Sequence, residues 1–242
     1  MRLLTFVIAF ALLASVVIAD EKDQKINEYA NMVETEYLKT HDVVNSEIAV
    51  ANILEKEPKE YVTLYTMSKI LYIKAEISRK QEEQVKLYEK GIEMGKKAVE
   101  VKPESEAAKY WYYMNMKKRS WLKRDTGAIG DVKRGLENLI KDNPEYIPGI
   151  QAYAALLSEL PGLFGGNIEK ALELLLNAVQ LDPGYSALYM DIAKVYVKTG
   201  DYKKAREYLN QAIQIEKPTD KSSDTLYEKA SAIKLLEEIK NK

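Results

Sequence analysis

Residues 185–218 read YSALYMDIAKVYVKTGDYKKAREYLNQAIQIEKP, and this stretch decides the fold. Tyr185, Tyr189, Ile192 and Tyr196 follow one another at steps of four, three and four, which places them on one face of a helix. Gly200-Asp201 makes a turn, and a second helical period carries Ala205 and Ala212. Ala193 on the first helix and Ala205 and Ala212 on the second are small residues where two helices would approach closely. Pro218 closes the unit.

Outward from this unit the pattern recurs. The preceding stretch supplies Ala171, Ala178 and Pro183, and both Ala171 to Ala205 and Ala178 to Ala212 are 34 residues. Pro218 falls one residue late relative to Pro183. Gly91, Ala98 and Pro103 repeat the same spacing of seven and then five. Five of the seven prolines (Pro58, Pro103, Pro144, Pro183 and Pro218) separate helical patterns at intervals of 45, 41, 39 and 35. Neither two-residue alternation nor an Asn-Gly or Asp-Gly hairpin signal lies between them. The chain therefore reads as all-α.

A 34-residue period of two helices per unit resembles the tetratricopeptide (TPR) repeat. The resemblance implies a solenoid of about five helix pairs, 24–58, 59–103, 104–144, 145–183 and 184–218, clearest in the last two. Leu226, Ile233, Leu235, Leu236 and Ile239 give residues 223–240 an amphipathic period, expected to cap the last pair. Residues 20–242 are expected to form one repeat domain.

The fourth pair departs from the plain repeat in Leu160-Pro161-Gly162-Leu163-Phe164-Gly165-Gly166-Asn167. Gly166 stands 34 residues before Gly200, so about five residues have been added ahead of it. Asn167 is placed to cap the helix opening at Ile168. Phe164 is expected to tuck back against the helices. This turn, followed by Glu169-Lys170-Ala171-Leu172-Glu173, is similar to the T-component of tripartite ATP-independent periplasmic transporters. It is similar also to the related repeat region of regulator-of-microtubule-dynamics proteins. The Lys109-Tyr110-Trp111-Tyr112 cluster stands where that family carries Tyr and Trp. The resemblance implies an exported interaction protein that associates with a solute-binding protein, with self-assembly into a ring.

Leu3–Ile18 is apolar apart from Thr5 and Ser15, follows Met1-Arg2, and ends at Val17-Ile18-Ala19 before Asp20-Glu21-Lys22-Asp23. This is the layout of a secretory signal peptide, residues 1–19; an uncleaved anchor is the alternative. The expected location is periplasmic or secreted, non-lipidated because no Cys exists to carry a lipid. No later segment is long and apolar enough to span a membrane. The absence of Cys also excludes disulfides, thiolate nucleophiles and iron–sulfur clusters, and the single His41 excludes a multi-His metal cage. With 36 basic and 37 acidic residues the chain shows no electrostatic footprint for nucleic acid. No cofactor or metal is expected.

Seventeen Tyr and two Trp against three Phe favour aromatics with a polar tip, the residues common at binding surfaces. Tyr189, Tyr196, Tyr61, Tyr65 and Tyr72 fall at packing positions and are expected in the core. Tyr110, Trp111, Tyr112 and Tyr113 cannot share one helix face, because successive residues turn by about 100°. With Lys117, Arg119 and Trp121 they form the candidate binding site, an amphipathic patch with cationic donors for a carboxylate. The alternative is a helix buried on two sides by its neighbours. Asp125–Asp131 lacks calcium-loop and phosphate-loop patterns and reads as the turn of the third pair. No catalytic constellation is present, and the chain reads as non-enzymatic. Three functions fit: an accessory docking protein of an envelope transporter, an organic-acid binder with an aromatic-lined cavity, or an envelope assembly scaffold.

Overall fold

The computed structural model describes residues 44–56, 59, 61–219 and 225–242. The expected leader (residues 1–19), His41 and the start of the first expected pair lie outside them. The described residues form ten α-helices and one short 3₁₀ turn, with no strand. By chain contacts they divide into two compact units, one running through Leu122 and the other from Lys123 to Lys242.

The first unit holds α1 (Val44–Lys56), α2 (Tyr61–Ile77), α3 (Gln81–Val101) and α4 (Glu106–Lys123). α2 sends Leu64, Met67, Ile70 and Leu71 inward. Met67, Ile70 and Leu71 meet Val50, with Ile73, Leu87 and Met94 packed around them, while Leu64 meets Ala98 and Ala108. α3 carries two glycines one turn apart where its neighbours come closest. A Cβ on Gly95 would stand 2.8 Å from the Tyr112 Cα, and one on Gly91 would stand 2.2 Å from Asn115 Oδ1. Gly91 thus takes the small-residue position that the later repeats give to Ala171 and Ala205.

The second unit holds α5 (Thr126–Asp142), α6 (Ile147–Glu159), a 3₁₀ turn (Gly162–Phe164), α7 (Ile168–Leu181), α8 (Ser186–Thr199), α9 (Tyr202–Gln214) and α10 (Thr225–Glu238). The small residues named from the sequence are the close contacts: Ala171, Ala178, Ala193, Ala205 and Ala212 are all buried. α6 packs on α7 and α8, α8 on α9, and α10 lies against both α8 and α9. Ala232 and Ile239 are buried there, and Arg206 donates to the carbonyls of Ile239 and Lys242 at 3.1 and 3.2 Å. The segment after α9 returns to the turn before α8. Thr219 N donates to Gly184 O at 3.0 Å and its hydroxyl to Asp182 Oδ2 at 2.7 Å.

Caps keep the repeat register. Asn167 accepts from Lys170 N at 2.8 Å and Asp201, 34 residues later, accepts from Lys204 N at 3.1 Å. The left-handed glycine does not keep it. Gly200 (φ +82) closes α8, but its counterpart by conformation is Gly165 (φ +80), one residue ahead of Gly166. Gly166 serves by size, since a Cβ there would stand 1.8 Å from the Leu160 carbonyl oxygen.

Three expectations are corrected. Phe164 is 53% exposed and does not tuck inward, because the 3₁₀ turn holds its ring away from the helices. Tyr61 and Tyr72 are only half-buried, because the apolar residues of α2 already fill its inward faces, whereas Tyr65 packs against the Leu64, Ala98 and Ala108 cluster as expected. Asp125–Asp131 is not a turn. Asp125 accepts from Ala128 N at 3.0 Å and starts α5, so only Arg124 (φ 53) and Asp125 separate α4 from α5.

Candidate interaction site

On α2, Tyr61, Tyr65, Lys69 and Tyr72 recur at helical steps and form its half-buried stripe. α4 places Trp111 against that stripe. The Tyr72 and Trp111 rings lie 5.6 Å apart at 59°, Tyr110 meets Trp111 edge-on at 5.0 Å and 82°, and Tyr72 leans on Tyr88 of α3 at 5.8 Å. These tilted spacings are favourable for ring quadrupoles. Two ammonium groups border the strip: Lys69 Nζ stands 5.4 Å from the Trp111 ring and Lys118 Nζ 5.8 Å from that of Tyr72. Such cation–π contacts are worth about 0.5–1 kcal/mol each at exposed sites.

Hydrogen bonds fix the strip from beneath. Asn115 is fully buried one turn beyond Trp111, and its Nδ2 donates to Trp111 O at 2.8 Å and to Ser68 O at 3.1 Å. Ser68 Oγ donates to Gly91 O at 2.8 Å, so the amide joins α2, α3 and α4. Asn115 Oδ1 and Ser120 Oγ are buried without a hydrogen-bond partner. At the strip's end Tyr88 donates its hydroxyl to Glu76, which also accepts from Lys118 at 2.7 Å. Burial, and then the Glu76 carboxylate, push the Tyr88 phenol far above its ordinary value.

The seven residues named from sequence divide between faces. Trp111 joins the α2 stripe, with Tyr110 edge-on against its ring. Tyr112 packs on Tyr113 at 5.1 Å and its backbone abuts Gly95, while Arg119 Nε stands 3.6 Å from Glu89 Oε1, both on the α3 side. Lys117 is buried, at 8% exposure, and Trp121, 41% exposed, stands ten residues past Trp111, about 15 Å along the helix. Sequence reasoning missed Lys69, Tyr72, Glu76 and Lys118 as site residues. The available signal was Lys69 at step four from Tyr65 on the tyrosine stripe, a cation where a buried face would not place one.

The second unit carries its own polar contacts. Gln151 of α6 donates to Asp191 of α8 at 2.7 Å, and Lys198 reaches the carbonyl of Ser158, linking the first helices of consecutive repeats. A hydrogen bond from Tyr153, and then Lys170 at 3.2 Å, hold the Glu137 carboxyl below its ordinary range. Among the described residues no group of three or more His, Cys, Asp or Glu could hold a metal ion. No described helix is long and apolar enough to cross a membrane.

Paired helices at a 34-residue interval, small buried contacts and a terminal covering helix define a tetratricopeptide-type helical repeat. A sequence model of the family described as Regulator of microtubule dynamics protein 1-3 matches residues 151–240, from α6 through α10. No curated protein sequence shows significant similarity. A thermophilic TPR protein of Thermus thermophilus has a similar fold: TM-score 0.65 at 18% identity, over 86% of this chain and 98% of that one. PilF of Pseudomonas aeruginosa matches with TM-score 0.54 at 14% identity, over 90% and 93% of the two chains. MamA of Desulfovibrio magneticus RS-1 matches with TM-score 0.51 at 17% identity, over 81% and 97%. These likenesses establish the fold.

Proposed function

We propose that the protein is an exported, non-enzymatic docking protein that holds a protein partner on the α2–α4 strip. The observation that carries this reading is the half-buried Tyr72–Trp111 pair bordered by Lys69 and Lys118. Aromatics and cations held on rigid helices lose little entropy when a partner covers them, and Trp and Tyr dominate interface energetics. The leader sequence supports export. The resemblance of the Pro161–Asn167 turn to transporter T-components supports a solute-binding protein as the partner and a transport-accessory role.

Cross-linked affinity capture from the native cell envelope tests this. Wild-type protein is expected to recover a solute-binding protein or transporter subunit. Trp111→Ala and Lys69→Glu are expected to lose it, at a cost of about 2 kcal/mol or more for the Trp as a buried anchor. Retention of the partner by both variants, with helicity unchanged, would count against docking at this strip. A saturable thermal shift with organic acids, lost in Trp111→Ala, would instead favour the small-molecule reading.

A further inference from the structure

The Pro161–Gly166 turn does more than reverse the chain. Two residues, with left-handed Gly200 first, suffice to join α8 to α9, whereas the connection from α6 to α7 takes eight. The added segment is firmly held. Phe164 N donates to Pro161 O at 2.9 Å, Gly166 N to the same oxygen at 3.1 Å, and Asn167 N to Leu157 O at 2.9 Å. What this scaffold holds in solvent is apolar: Leu163 is 92% exposed and Phe164 more than half.

No charged residue lies between Leu160 and Ile168, in a chain that is 30% charged. The unit's longest uncharged run, Tyr146–Ser158, lies almost wholly in α6, where Ile150, Tyr153, Leu156 and Leu157 are buried. The unit's other turns carry charge, at Arg124-Asp125, Glu145, Asp182 and Asp201. Lys133 Nζ reaches the base of the turn, 2.5 Å from where a Cβ on Gly165 would sit. Lys170 stands nearby in the first turn of α7, paired with Glu137 at 3.2 Å, and Glu159 and Glu169 flank the turn in sequence. Two cations and three carboxylates are mixed at the base, and the tip itself is neutral.

We infer that this turn is a membrane-contact tip, whose Leu163 and Phe164 enter the boundary between lipid headgroups and acyl chains while the charged base stays in water. A neutral, rigid apolar tip over a base of mixed charge matches a lipid interface, which moulds itself to any inserted side chain. Two side chains alone bind a bilayer weakly, and stable attachment takes a second signal. The apolar run Leu3–Ile18 supplies one when retained, raising the effective concentration of the tip at the surface. The inference is independent of the α2–α4 strip.

The test uses the full chain bound to phosphatidylcholine vesicles whose acyl chains are brominated, with Phe164→Trp as the reporter. Bromine quenches an indole only when the ring enters the hydrocarbon. The added indole is expected to be quenched beyond the background of Trp111 and Trp121, with a blue shift of its emission, and Leu163→Asp is expected to abolish that excess. Both positions are exposed, so circular dichroism should show unchanged helicity. No excess quenching overturns the inference, as does quenching that survives Leu163→Asp. An unquenched tip whose Leu163→Asp variant loses a captured envelope protein would assign the turn to protein docking and overturn it equally.

Discussion

Gly91 and Asn115 show how a single side chain locks three helices. The Asn115 amide fills the space a Cβ on Gly91 would need, 2.2 Å away, and bonds to α2 and to its own helix. Gly91→Ala is therefore expected to destabilise by about 1–3 kcal/mol as an overpacking change, read from the urea midpoint at unchanged slope. Adding it to Asn115→Ala should cost less than adding it to the wild type, because the clashing atom is gone. Partly buried phenols contribute to the alkaline behaviour. Tyr88 and Tyr153 are raised above the ordinary value of 10.0, by burial first and by Glu76 or Glu137 next. A raised native value means stability that is complete below pH 10 and is lost as pH climbs past it, since only the unfolded chain ionises. Tyr88→Phe is expected to flatten that alkaline loss in a pH series of denaturant melts.

At the scale of elements, the two turns of the last repeats differ in what their glycines do. Gly200 needs its left-handed backbone and has open space around it, so Gly200→Ala should cost about 1 kcal/mol of strain. Gly166 has an ordinary backbone, but a Cβ there would meet the Leu160 carbonyl oxygen at 1.8 Å, a backbone atom that cannot swing away. Gly166→Ala is thus expected to cost more than Gly200→Ala, with the order read from thermal melts of the two variants. Asn167→Ala removes the α7 cap and should cost about 1 kcal/mol.

At the scale of the molecule, a repeat array leaves an apolar face at its last unit unless something covers it. α10 covers α8 and α9, with Ala232 and Ile239 buried and Arg206 tied to its end. Truncation after Thr219 is expected to lower hydrogen-exchange protection first in α9, whose outer side it uncovers, while the buried positions of α2 keep theirs. Equal loss throughout the chain would show that the two units unfold as one cooperative body.

The sequence by itself determined the helical class, the 34-residue interval, the small contacts at Ala171, Ala178, Ala205 and Ala212, the Asn167 cap and the closing helix. Each is a local or periodic property: helix faces repeat at three and four residues, close approach demands small residues, and caps act within one turn. Spacing along one helix could not say which faces find neighbours. The tertiary structure alone decided that Tyr72 joins Trp111 at a half-buried strip while Tyr112 and Arg119 turn to α3, and that Lys69 and Lys118 border the rings. It alone decided that Phe164 stands in solvent, because the hydrogen bonds of a 3₁₀ turn, rather than apolarity, set the direction of that ring.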